Sequence, residues 1–195
     1  SQSLSRGDNY FASIRIKKVM KIAFLLGLSI SVICSLIPYE LGNLFYGRDD
    51  LGNYIFMASL SAPIFFTSSI MFGILNGLNK QGVILRNSLI IAFIDLICLF
   101  VFTSIPSINI YGYSLSLFIT SSICLLINLY EVKKEINVDI CLINIIIFVL
   151  LSVLTFLILN IIIKKFLFPL NTLEILLVVV VTFIIFIYYS HFGET

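Results

Sequence analysis

Long apolar stretches alternate along this chain with short polar breaks. Six apolar stretches run over residues 22–38, 54–75, 87–105, 110–130, 140–163 and 166–190. They are continuous, whereas a closed barrel would alternate with a period of two in strands of about ten residues. A helix of about 20 residues crosses a hydrocarbon core of roughly 30 Å. Five of the stretches have that length, and residues 22–38 are at the lower limit. The pattern predicts an all-α membrane protein with six transmembrane helices.

The breaks carry orientation. Arg6, Arg15, Lys17, Lys18 and Lys21 precede the first stretch. The second break, residues 39–53, sets Arg48 against Glu40, Asp49 and Asp50. The third holds Lys80 and Arg86, the fourth, around Pro106 and Asn109, has no charge, and the fifth holds Lys133 and Lys134. Lys164 and Lys165 make the sixth, and no Lys or Arg follows the last stretch. Alternating sides put nine basic residues on the side of the N-terminus and three on the other. Positive charge stays in the cytoplasm, so both ends are expected there. Lys164 and Lys165 oppose that assignment, but a two-residue turn between two apolar helices has little freedom to choose.

Residues 1–9 read as a polar loop. Phe11, Ile14, Ile16, Val19 and Met20, interleaved with basic residues, predict an amphipathic lead at the cytoplasmic interface. The expected organisation is a loop and lead over 1–21, four transmembrane helices over 22–130, and an appended pair with a short tail over 131–195. The basic start before a short apolar run resembles a secretion signal, but no small-residue cleavage site follows it.

Composition narrows the chemistry. The chain is 60% hydrophobic and 11% charged, with mean hydropathy +1.14. A net charge of +2 gives no footprint for nucleic acid. Cys34, Cys98, Cys124 and Cys141 fall inside apolar stretches without metal-ligand spacing, and read as small buried hydrophobes. The single histidine, His191, lies past the last stretch, so neither a metalloprotease cluster nor a serine–histidine pair forms from sequence. No phosphate-binding glycine loop occurs. The expectation is a non-enzyme without metal or cofactor.

Polar residues inside the apolar stretches are the candidates for function. Asp95 stands near the middle of 87–105. A central Asp costs about 2.5–3.5 kcal/mol, and the surrounding Leu, Ile, Phe and Val return about 0.3–0.6 kcal/mol each, so insertion still succeeds. Helical spacing puts Ser88, Ala92 and Asp95 on one face, which should meet protein or a water-filled cavity. A translocation-path carboxylate and a helix-contact carboxylate are both open. Pro63 predicts a kink in the second stretch. Ser69, Gly73 and Gly77 there, and Gly112, Ser116 and Thr120 in the fourth, recur every four residues as close-packing ladders. The last two stretches are mostly Ile, Leu, Val and Phe, with Asn144, Ser152, Thr155 and Asn160 scattered in the first of them, a composition suited to lipid exposure.

Four pieces in order carry a resemblance over nearly the whole chain: Ser1-Gln2-Ser3-Leu4-Ser5; Leu44-Phe45-Tyr46-Gly47; Gly73-Ile74-Leu75-Asn76-Gly77-Leu78-Asn79-Lys80; and Ile105-Pro106-Ser107-Ile108-Asn109-Ile110-Tyr111-Gly112. They resemble the C-terminal part of the stage V sporulation protein B family of polysaccharide and lipid-oligosaccharide transporters, which is related to the lipid II flippases of the multidrug/oligosaccharidyl-lipid/polysaccharide (MOP) superfamily. The resemblance implies a fourteen-helix transporter of two lobes and an extra pair, of which these are the last six helices. It implies bacterial inner-membrane flipping of lipid-linked saccharide or peptidoglycan precursors by alternating access, with the bilayer, that substrate and a missing N-terminal lobe as partners. No cavity residue of those flippases transfers to a position here. A stand-alone six-helix substrate-binding subunit of a vitamin transporter is the alternative, and a structural or assembly subunit a third.

Overall fold

The computed structural model describes residues 9–106, 108, 111–136, 142–163, 165 and 172–191, with backbone alone at 9, 10, 142–144, 172, 173 and 191. Of the loop expected over 1–9, residues 1–8 lie outside the described residues and Asn9 begins α1; Ser107, Asn109, Ile110, Cys141, Lys164 and the side chains of Asn144 and His191 lie outside them too. Every regular element described is helical. In order these are α1 (Asn9–Leu36), α2 (Pro38–Tyr46), a 3-10 turn (Asp49–Leu51), α3 (Gly52–Ser59), α4 (Ala62–Gly77), α5 (Gln81–Thr103), α6 (Tyr111–Glu135), α7 (Leu142–Ile162) and α8 (Thr172–His191).

Among the described residues four helices are long and apolar enough to cross a membrane: Phe11–Leu36, Gln81–Thr103, Tyr111–Glu135 and Ile145–Ile162. The number rises to five if the bent pair Asp49–Ser59 and Ala62–Gly77 is one span. This is fewer than the six expected from hydropathy. The second apolar stretch is interrupted, with a bend of 57°. Pro63 lies one residue inside α4, where its missing N–H costs no helical bond. The apolar part of α8, Glu174–Ser190, is shorter than the others. The lead also differs in detail. It continues into α1 without a break, and its apolar residues divide. Ile16 is buried and Met20 packs on a core, while Phe11, Ile14 and Val19 stay exposed.

The chain forms two compact units, Ser1–Phe24 with Ile64–Ile140, and Leu25–Pro63 with Cys141–Thr195. The core of the first joins Ala12, Ile16, Met71, Leu75, Val132 and Ile136. The core of the second joins Ile33, Ile37, Leu41, Ile163, Ile175 and Val178. In the second unit α1 passes the start of α4 at Gly27, where a Cβ would stand 2.5 Å from the Pro63 Cα and 2.8 Å from the Ala62 carbonyl oxygen. Only glycine permits that approach. Ser59 Oγ donates to the Phe56 carbonyl, which leaves Ser35 Oγ to donate to Ser59 Oγ at 2.8 Å.

Two turns are sequence-encoded. Asn79 ends α4 at φ 58°, with the N–H of Asn79 bonded to the Asn76 carbonyl and that of Lys80 to the Leu75 carbonyl. Asn tolerates this left-handed position better than other side-chain-bearing residues. Gly47 takes φ 65° at the end of α2. Just beyond it Arg48 holds the Asp50 carboxyl below the usual carboxylate range by hydrogen bond and charge. A lowered folded-state pKa makes this pair persist as pH falls through ordinary Asp titration and open only at still lower pH.

Gly27→Leu should lower the thermal midpoint in detergent sharply, since neither backbone can retreat. Gly73→Leu, where an added Cβ meets nothing within 4 Å, should leave it within about 0.5 kcal/mol of the parent. Thermal melts of both variants check this contrast.

Candidate functional site

The α5–α6 hairpin of the first unit holds the polar chemistry. On α6, Gly112, Ser116, Thr120, Cys124, Asn128 and Val132 recur every four residues, and all are buried. The apolar residues Leu115, Phe118 and Leu126 point outward. The buried face is thus the small and polar one. This is the arrangement expected in lipid, where apolar side chains gain nothing by leaving the acyl chains and small ones let backbones approach. At the hairpin's closed end a Cβ on Gly112 would lie 2.6 Å from the Phe102 carbonyl carbon.

α5 contributes one fully buried residue, Asn87. Its Nδ2 donates to Asn128 Oδ1 at 2.9 Å, and Asn128 Nδ2 donates to Cys124 Sγ at 3.3 Å. Arg86 donates to Asn87 Oδ1 through Nε and a terminal nitrogen, and that terminal nitrogen also pairs with Glu131. One turn outward Lys80 meets Glu135 at 2.7 Å. Charged pairs close the open end of the hairpin, and neutral amides replace them as the seam runs inward.

Asp95 lies deeper in the same seam. Ser116 Oγ donates to Asp95 Oδ1 at 2.9 Å. Ser116 is 1% exposed, while Asp95 is exposed on its helix, as is Ala92, and Ser88 is half-buried. Asp95 is thus held from α6 by Ser116 and exposed on its other side. Two turns nearer the start of α5 an open groove of about 490 Å³ is lined by Phe72, Gly73, Asn76, Gln81, Ile84, Leu85 and Ser88. The two ladders have different surroundings. Gly112, Ser116 and Thr120 are buried along α6. Ser69, Gly73 and Gly77 are exposed, and a Cβ on either glycine would meet nothing within 4 Å.

Sequence reasoning passed over Asn87, Asn128, Arg86 and Glu131 as a group. The signal was present: the ladder begun by Gly112, Ser116 and Thr120 continues through Cys124 to Asn128 with the same step. Among the described residues no group of His, Cys, Asp and Glu is placed to hold a metal ion. Comparison with protein-family models, curated proteins and solved structures finds no match. The all-helical fold and its apolar helices thus define the class only broadly, as an α-helical membrane protein.

Asn128→Leu should leave Asn87 Nδ2 without its partner inside the hairpin. An interhelical hydrogen bond in a membrane protein contributes about 0.6 kcal/mol and at most about 1.7. Unfolding in mixed micelles should show a loss in that range. Gly112→Val should cost more, because the opposing atoms are backbone.

Proposed function

We propose that the chain is the C-terminal part of a bacterial inner-membrane transporter of the flippase type, moving lipid-linked saccharide or peptidoglycan precursors by alternating access. The observation that carries this reading is Asp95. A carboxylate midway along a membrane helix is costly and by default functional. Here one serine fixes it from within the protein while its other side stays open. Such a group can meet the polar headgroup of a substrate as it crosses. Two turns along the same helix the groove adds Asn76, Gln81 and Ser88 as neutral hydrogen-bonding groups, suited to sugar hydroxyls. The exposed Ser69, Gly73 and Gly77 face is smooth enough for another helix or a lipid chain to approach closely.

Six spans with both ends cytoplasmic complete the reading, with the α3–α4 pair and α8 each counted once. The two cores support this alternation. One joins the start of the first span to the end of the second and of the fourth, through Ile16, Leu75 and Val132. The other joins the end of the first span to the end of the fifth and the start of the sixth, through Ile37, Ile163 and Ile175. Alternation puts each of these sets on one membrane side. Lys80, Arg86, Lys133 and Lys134 then fall on the cytoplasmic side, as positive charge requires.

The test is reconstitution of the intact protein with a fluorescent lipid-linked oligosaccharide, followed by chemical bleaching of the outer leaflet. The parent should expose label from both leaflets, and Asp95→Asn should slow exchange about tenfold, or 1.4 kcal/mol, with an unchanged melting temperature. Absence of exchange by the parent across lipid-linked saccharides would sink the flippase reading. Full activity of Asp95→Asn would leave that carboxylate only a packing role.

A further inference from the structure

The short helix α2 carries an apolar row that outruns the protein. Ile37 and Leu41 are 1% and 8% exposed, held in the core with Ile163, Ile175 and Val178. Phe45 continues that row one turn later and is 72% exposed, with Leu44 beside it at 44%. The opposite side carries Tyr39 and Tyr46, seven residues apart and therefore on one face, at 49% and 69%. Both are rings with a polar tip. Tyr39 uses its tip to donate to Asn53 Oδ1 at 2.7 Å. Arg48, Asp49 and Asp50 follow at once, all exposed. The helix is apolar on one side, amphipathic-aromatic on the other, and ends in charge.

Its depth follows from the helix before it. The basic residues Arg15, Lys17, Lys18 and Lys21 mark one water boundary of α1. The apolar residues 22–36 of α1 then rise only about 22 Å at 1.5 Å per residue, against a hydrocarbon core of roughly 30 Å. The chain leaves the helical path at Ile37, φ −131°, because the residue before a proline is pushed out of the helical region. α2 therefore starts several ångströms short of the far water boundary. Among its surroundings, Gly52 and Asn53 at the start of α3 already cover the Tyr39 ring and hydroxyl, so the next span re-enters beside it.

We propose that α2 is an interfacial anchor: it lies in the headgroup boundary of the leaflet away from the N-terminus, with Leu44 and Phe45 among the acyl chains and the tyrosine hydroxyls at headgroup level. Its partner is the lipid surface itself, and the inference rests only on the membrane placement of α1. Tyr enrichment at this level is a general property of membrane boundaries, and an interfacial helix sits about 5–10 Å into them.

The chain has no tryptophan, so Phe45→Trp introduces a unique depth reporter. The full chain is reconstituted in phosphatidylcholine vesicles containing lipids brominated either near the headgroup end or near the methyl end of the acyl chains. Leu96→Trp, midway along α5 and 66% exposed, reports insertion independently. Phe45→Trp should be quenched about twofold more by shallow than by deep bromine, as expected for a ring 5–10 Å below the boundary, while Leu96→Trp favours the deep label. Tyr46→Trp repeats the measurement should Phe45→Trp fold poorly. Quenching of Leu96→Trp alone, with both α2 reporters indifferent to either lipid, overturns the proposal, since water or protein then covers α2. Equal deep quenching of the α2 reporters overturns it too, since α2 then belongs to a span.

Discussion

Lipid offers no hydrogen-bond partner, and the structure is organised around that constraint. An unsatisfied polar group in hydrocarbon costs several kcal/mol, so each hydroxyl and amide carried into the apolar stretches must find its partner in the chain. Many of the serines and threonines do so locally. Ser29, Ser61, Ser68, Thr120, Ser152 and Thr182 donate to carbonyls three or four residues back on their own helices. Among the described residues no buried side-chain nitrogen or oxygen lacks a partner. Residues that are too short-reaching or too polar for that solution must pair between helices, and these pairings hold the α5–α6 hairpin together.

The hairpin shows how the constraint becomes architecture. Asn87 and Asn128 cannot both satisfy their amides on a helix surface, so they face each other at 2.9 Å. That bond sets the register of α5 against α6. The register in turn puts Ser116 against Asp95, and brings Gly112 under the Phe102 backbone. Three contacts spread along one hairpin are thus consistent with a single alignment, and each would be lost by a slip of one residue. Asp95 is different from the asparagines in having only one neighbour fixed by this alignment.

The uneven fate of the two small-residue ladders follows from the same physics. A four-residue step of Gly and Ser makes a flat helix face, and flatness is necessary for close approach but names no partner. On α6 the partner is the neighbouring helix joined to it by a short turn. On α4 no described residue fills the place beyond Gly73 and Gly77, and the flat face borders the groove instead. A close backbone approach in the second unit lies elsewhere, at Gly27, in a four-residue step of small residues, Ala23, Gly27, Ser31 and Ser35, that ends at the Ser35–Ser59 contact.

The sequence by itself determined the helical class and the membrane environment, because hydrocarbon thickness acts on local composition and needs no tertiary contact. It also located Asp95, since a carboxylate within Ile, Leu and Phe is visible in one dimension. The break between α3 and α4, the pairing of Asn87 with Asn128 and the half-covered row of α2 were decided by tertiary structure. A proline suggests a bend but not its angle or its partner, and an asparagine forty-one residues from its mate carries no record of the distance. Which small face is covered and which stays open depends on what lies opposite, and that is a property of the packed molecule alone.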